Sequence, residues 1–313
     1  NYASRILIPS FKAAGAKFHT VVTSGGISGV VHGSKAGFEE ASTDMEAVLN
    51  NKNINTVVIV TRHDTHSSFV ARALRSEKNV FVEKPLAITS EGLAEVKKAY
   101  YEACGGTGTP HLMVGFNRRF SPQIQKMKDL LQSVKEPKAF LMTMNAGAIP
   151  PDHWTQIAEI GGGRILGEAC HFIDLMRFLA GAPIVSVQAR RMGGCDSVPI
   201  TEDKAAITLG FADGSLGTVH YLANGGASFP KERIEVFAAG RILQLDNFRK
   251  MRGYNWPGFT KMNLWRQDKG QKRCATAFLE AVEKGLPTPI SPDEIFEVAE
   301  ATLKAAEIIR EQA

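Results

Sequence analysis

A chain of 313 residues is long enough for two hydrophobic cores, and 44% hydrophobic against 22% charged residues is the balance of a globular protein. The net charge of +5 is spread along the chain with no basic cluster interleaved with aromatics, which argues against a nucleic-acid groove. The longest apolar runs, "NTVVIV" and "DLMRFLAGAPIV", are too short to span a bilayer, so the composition excludes an integral helical membrane protein and predicts a cytoplasmic one.

The opening stretch, "NYASRILIPSFKAAG", puts Ile6, Leu7, Ile8, Phe11 and Ala14 near helical spacing. Short β-branched runs follow at "FHTVV" (18–22), "NTVVIVT" (55–61), "NVFVEKP" (79–85) and "HLMVGFN" (111–117), the pattern of strands buried on both faces. Between them "TDMEAVLNN", "HSSFVARALRS" and "SEGLAEVKKAYYEA" read as helices. Thr43 or Asp44 caps the first of these, and Thr89 or Ser90 caps the last. Strand alternating with helix predicts a doubly wound parallel sheet.

After Asn117 the texture changes. A helix is predicted at 122–133, then "KAFLMTMNAG", a glycine-rich loop, and a strong helix over 166–180 that stops at Gly181 with Pro183 beyond it. "VSVQARRM", "KAAITLGFADGSLGTVHYLA", "ERIEVFAAG" and "RILQLDN" alternate as strands, and "ADGS" and "AAGR" are hairpin turns, so a mainly antiparallel sheet is expected. Two amphipathic helices, the second capped at Ser291, close the chain. Residues 1–118 and 119–313 are expected to be two domains, with the boundary near 117–121. The four cysteines, Cys104, Cys170, Cys195 and Cys274, are scattered without a CxxC pair, so reduced thiols are expected, with neither metal-ligand spacing nor a disulfide framework.

A doubly wound nucleotide-binding domain begins with a strand, a GxGxxG/A turn and a helix whose N-terminus holds the pyrophosphate. Asn1-Tyr2-Ala3 fits the end of such a turn, which places the two glycines and the first strand upstream of residue 1. The remaining motifs carry a specific resemblance. A strand ending in Glu83-Lys84-Pro85, about twenty residues after one ending "TRHDTH", then "GFNRRF" (115–120) and "GGGRILGEACHFIDL" (161–175), resemble the glucose–fructose oxidoreductase / inositol dehydrogenase (Gfo/Idh/MocA) family. The resemblance covers essentially the whole chain. It implies a Rossmann-type parallel sheet, here without its first strand, followed by an α+β domain with an open, mainly antiparallel sheet. "NAGAIPPDHW", "SFPKERIEVF" and "DKGQKR" resemble a subgroup in which this module follows a zinc-alcohol-dehydrogenase-like half; an upstream fusion of that kind is expected.

Oxidising a secondary alcohol needs a base for the hydroxyl proton and positive charge near the developing alkoxide. The resemblance makes Lys84, at the carboxyl end of a sheet strand, the lysine that contacts both nicotinamide and substrate, and Pro85 after it a candidate cis residue. It makes His171 the general acid/base. The aspartate often found four residues before that histidine is Gly167 here, and neighbouring Glu168 is the candidate to compensate. Glu168, His171 and Asp174 are spaced to share one helix face.

Tyr2, Ala3, Ser24, Thr61, Arg62, His63, His66, Glu83 and Lys84 are the expected cofactor contacts. No acid follows the strand at "TSGG", so NAD and NADP both remain open. Asn117, Arg118, Arg119, Asn145, His153, Trp154 and Glu168 are the expected substrate contacts, and arginine, amide and aromatic groups together suit a polyol, sugar or sugar acid. Arg119 serves equally well as a structural ion-pair partner. The expected function is an NAD(P)-dependent oxidoreductase on a carbohydrate-like alcohol or ketone, working as a homo-oligomer. The alternative is a non-catalytic dinucleotide- or sugar-sensing or scaffold domain on the same fold, which the glycine at 167 favours.

Overall fold

A computed structural model describes residues 2–106, 109–195 and 200–312. The first helix opens with a wide π turn (Ala3–Leu7) and continues as α1 (Ile8–Ala13). There follow β1 (Thr20–Val22), α2 (Gly26–Ala36), β2 (Glu40–Ser42), α3 (Met45–Asn50), β3 (Thr56–Ile59), α4 (His66–Arg75), β4 (Asn79–Val82), α5 (Ser90–Cys104) and β5 (Leu112–Val114). The Asp44 carboxylate accepts from the amides of Glu46 and Ala47 to start α3, and the Thr89 hydroxyl accepts from Gly92 to start α5.

Every strand pair in this half is parallel, but the strands form two separate sheets, β1–β2 and β3–β4–β5. Each of β1 and β3 therefore keeps one unpaired edge. Where burial on both faces was expected of all four strands, only β4 and β5 have it; Val22 in β1 and Val58 in β3 are exposed. Two elements of this half went unread in the sequence. Strand β2 has three residues and no apolar run. Helix α2 carries glycines that mask its periodicity, and they are there for packing: a Cβ at Gly33 would sit 2.5 Å from Cγ1 of Val21 in β1.

The second half comprises α6 (Pro122–Leu131), β6 (Ala139–Asn145), a π turn (Ile165–Ala169) running into α7 (Cys170–Ala180), and strands β7 (Ile184–Arg191), β8 (Lys204–Phe211), β9 (Leu216–Leu222), β10 (Glu232–Ala238), β11 (Arg241–Asp246), β12 (Lys250–Tyr254) and β13 (Lys261–Asn263). Helices α8 (Gln271–Lys284) and α9 (Pro292–Arg310) end the chain, the latter capped by Ser291 as expected. The eight strands run in the order β13-β12-β11-β10-β6-β9-β8-β7, antiparallel except for β6–β9. The hairpin turns lie at the two predicted sites, with Gly214 and the Ala239-Gly240 pair at positive φ.

The last two helices return to the first half. Phe278 of α8 meets Phe81 of β4 and Phe11 of α1 edge-on, at 5.6 and 6.4 Å, and Phe11 meets Phe81 at 5.1 Å. Such contacts add about 0.5–1.5 kcal/mol each beyond burial. Helix α9 packs on α5 and β5 as well as on α7 and β7. One hydrophobic core runs through both halves and holds the end of β4 against the start of α7.

Candidate active site

Strand β4 delivers Glu83, Lys84 and Pro85 to the carboxyl edge of the three-stranded sheet, and the Lys84–Pro85 bond is cis. Glu83 is buried. Tyr2 donates its hydroxyl to the Glu83 carboxylate, and the neighbouring strand end is Gly115 because a Cβ there would lie 2.8 Å from Glu83 Oε1. The glycine of "GFNRRF" is thus dictated by the glutamate of the Glu-Lys-Pro motif. Tyr2, expected to touch cofactor, spends its hydroxyl on Glu83 instead, while Ala3 lies half-buried in the first turn.

Burial pushes the Glu83 carboxyl from 4.5 up to about 7. The folded chain therefore holds this proton more tightly than the unfolded one. The stability it contributes is fully present below pH 4.5 and is lost as pH rises through about 7. Glu83→Gln is expected to flatten the fall in urea midpoint over that window; an unchanged pH slope would exclude Glu83 as its source.

The Lys84 ammonium donates to the carbonyl of Gly167, 2.7 Å away in the π turn that leads into α7. His66 supports the same turn: its Nδ1 lies 2.7 Å from the Pro85 carbonyl and its Nε2 3.2 Å from that of Thr61. His63 crosses to the other half. Its Nδ1 donates to the Gly161 carbonyl at 2.8 Å, the Asp64 amide donates to the Ile160 carbonyl at 3.0 Å, and the ring stands edge-on to Trp154 at 4.8 Å. Burial lowers both histidines, His63 to about 4, so the His63 ring is neutral at pH 7. A Cβ at Gly167 would lie 3.0 Å from His63 Cε1. A side chain at 167 would therefore crowd the His63 ring, a relation invisible across 104 residues of sequence.

His171, in the first turn of α7, is buried beside Phe116, with no partner for Nδ1. Burial, and then the charges of Arg118, Lys84 and Lys269, hold its pKa well below the usual imidazole value. Glu168, His171 and Asp174 do not converge as their spacing suggested. Glu168 accepts from the Tyr221 hydroxyl at 2.7 Å and lies 3.5 Å from Arg164; Asp174 is taken by Arg119. The physical reason is the π turn, whose extra residue rotates position 168 out of phase with the α-helix that follows. Glu168 is held below the usual carboxylate range by Tyr221, Arg164 and Lys84 against the opposing effect of burial.

The turn at 117–120 is a set of buried anchors. Asn117 donates to the Lys269 carbonyl at 2.7 Å. Arg118 and Lys269 share the carboxylate of Glu232, each at 2.8 Å from Oε1, and these cations overcome burial to hold Glu232 at about 2. Arg119 bridges Asp174 and Glu294 at 2.5 and 2.8 Å, so of the two roles open to it the ion pair is the one it fills. Asn145 donates to the Gly226 and Phe229 carbonyls, His153 is exposed on Thr155, and Trp154 faces His63. Lys269 and Tyr221 were missed in the sequence, since nothing local marks a lysine or a strand tyrosine as a partner for a distant glutamate.

Dinucleotides bind along the carboxyl edge of parallel strands. On that edge Ser24, Thr61 and Arg62 are exposed and Lys84 is half-buried. With the unpartnered Nδ1 of His171, these fit the ribose and nicotinamide ends of such a cofactor. Among the described residues no three His, Cys, Asp or Glu side chains group as metal ligands, and no helix is long and apolar enough to cross a membrane.

Known proteins match both halves of the chain. A profile of the Gfo/Idh/MocA oxidoreductase family, described as an NAD-binding Rossmann fold, matches residues 15–104, and the family's C-terminal domain matches residues 124–243. Myo-inositol 2-dehydrogenase of Thermotoga maritima is 28% identical over 225 residues, 69% of this chain and 64% of that protein. Inositol 2-dehydrogenase 2 of Saccharopolyspora erythraea is 31% identical over 195 residues, 60% and 53% of the respective chains. The matches span about half to two thirds of these curated relatives. The crystal structure of an oxidoreductase domain protein from Kribbella flavida superposes with a TM-score of 0.86 at 19% identity, covering 100% of this chain and 96% of that one, a likeness of fold. With both halves matched in order and the Glu-Lys-Pro strand end seated against the histidine-bearing helix, the chain belongs to the Gfo/Idh/MocA oxidoreductase family.

Proposed function

We propose that this chain is the catalytic module of an NAD- or NADP-dependent dehydrogenase that oxidises a secondary hydroxyl of a sugar, polyol or sugar acid. The observation that carries the reading is the Lys84–Gly167 contact, which joins the ligand edge of the sheet to the helix bearing His171. A bound nicotinamide supplies the hydride acceptor. His171, neutral at pH 7, takes the hydroxyl proton, and the Lys84 ammonium stabilises the oxygen as its charge develops. Thr61 and Arg62 border the cofactor and Trp154 with His63 walls the substrate side. Residues 1–118 and 119–313 then act as cofactor and substrate domains, and the chain follows a zinc-alcohol-dehydrogenase-like half, as its subgroup motifs suggest. Reduction of NAD or NADP by the full-length protein with a panel of inositols, hexoses and hexuronates tests the reading. Failure with every member, with both cofactors, would favour the sensing role instead.

Self-association belongs to the same proposal. Leu141, Leu216, Phe237 and Tyr254 are exposed on one face of the eight-stranded sheet, opposite the helices, where Phe237 pairs with half-buried Ile242. A patch of that kind commonly marks an interface. Phe237→Arg with Leu141→Arg is expected to shift sedimentation to the monomer; an unchanged profile would place any interface elsewhere.

A further inference from the structure

The buried ion pairs around His171 are unevenly distributed: Arg119 is met by two carboxylates, Asp174 and Glu294, whereas Arg118 and Lys269 share one, Glu232. Glu168 is occupied by Arg164 and Tyr221, and Glu232 by both Arg118 and Lys269, so that one cation there is in excess. Among the described residues no carboxylate lies within ion-pair distance of Lys84: it donates to a neutral carbonyl, and Glu83 and Glu168 act on it only through longer-range attraction, Glu83 with its own carboxyl raised to about 7. The reason is position 167. A carboxylate-bearing side chain there would start one bond from the carbonyl that Lys84 holds, but its Cβ would press on the His63 ring at 3.0 Å, tighter than ordinary contact, so the ring would have to give by a few tenths of an ångström. His63 is locked there by the Gly161 carbonyl and Trp154, and its neutral ring adds no charge of its own. Beside these cations His171 Nδ1 lies buried without a partner, a polar atom that awaits a ligand group.

We infer that the site is set for a carboxylate-bearing sugar or polyol, whose charge is met by Lys84 and the excess cation on Glu232, with Gly167 under the His63 ring keeping Lys84 unneutralised. The inference rests on the dehydrogenase reading above and narrows its substrate class. Burying an anion beside an uncompensated ammonium is favourable, whereas an uncharged substrate leaves that ammonium desolvated and unpaired. A carboxylate is preferred to a phosphate because it brings one negative charge, matching the single ammonium of Lys84, whereas a phosphate monoester brings nearly two.

The test is cofactor reduction by the full-length protein with hexuronates, hexose 6-phosphates and the parent uncharged hexoses and inositols. The hexuronates are expected to show kcat/KM about 10-fold or more above their uncharged parents, the factor that a modest charge-pairing difference gives. Gly167→Asp combined with His63→Ala supplies Lys84 with a carboxylate and the room for it, and is expected to abolish the preference. His63→Ala alone is expected to retain it. Where the double variant fails to melt cooperatively, Lys269→Met serves, and is expected to lower kcat/KM for hexuronates more than for uncharged sugars. Uncharged substrates favoured by the wild type would overturn the inference while leaving the dehydrogenase reading intact, and hexose phosphates favoured would overturn the carboxylate assignment. Turnover of none of them would remove the dehydrogenase reading, and this inference with it.

Discussion

Replacing His171 by alanine in the full-length enzyme is expected to lower kcat about 100-fold or more, the usual share of a positioned general base. The expectation follows from its surroundings. The ring is buried, its Nδ1 has no partner, and three cations disfavour a second proton. Such a histidine is a base over a wider range than a free imidazole, and its lowered pKa moves the acidic limb of the kcat/KM profile below pH 6.5. The limb should vanish in His171→Ala. Lys84→Ala is expected to lower kcat and raise KM for the cofactor together, because the same ammonium fixes the strand end to the π turn. If His171→Ala keeps normal turnover on a substrate that the wild type oxidises, the base lies elsewhere. Glu168→Gln is the matched control: its carboxylate is held by Tyr221 and Arg164, so a smaller effect is expected.

The second large effect concerns stability. Arg119→Met is expected to cost about 3–5 kcal/mol in urea unfolding, the range for removing one partner of a buried ion pair. Arg119 places two nitrogens on Asp174, at 2.5 and 3.1 Å, a third on Glu294 at 2.8 Å, and its guanidinium over the Phe178 ring at 5.0 Å. Burial raises the Asp174 carboxyl to about 6 even with Arg119 beside it, so the variant leaves a buried carboxyl that is either unpaired or forced to take up a proton, and both cost stability. Adding Asp174→Leu should recover most of the loss, since an apolar pair of similar volume is often close to neutral. Recovery would separate the cost of an orphaned charge from that of lost packing; a double variant as unstable as the single one would assign the loss to packing.

The sequence by itself yielded most of the elements in their order, the two kinds of sheet, the cap at Ser291, caps narrowed to 43–44 and 89–90, the hairpin turns at Gly214 and Gly240, and Pro85 as the candidate for the cis bond found there. These are local matters, settled by periodicity and by side chains that bond backbone a few residues away. It also singled out Lys84 and His171 as candidates, because the motifs around them are contiguous. Only the tertiary structure decided what the remaining polar residues do. Arg118 and Arg119 are neighbours in sequence, yet one is bound to Glu232 and the other to Asp174 and Glu294. Glu168 left its expected partner because one π turn changed the helical phase, and helix α2 was hidden because its glycines answer to β1 rather than to the helix. The absence of a side chain at Gly167 reads in sequence as a defect in a motif. In the fold it spares the His63 ring from crowding, since a contact between residues 104 apart is fixed by packing rather than by pattern.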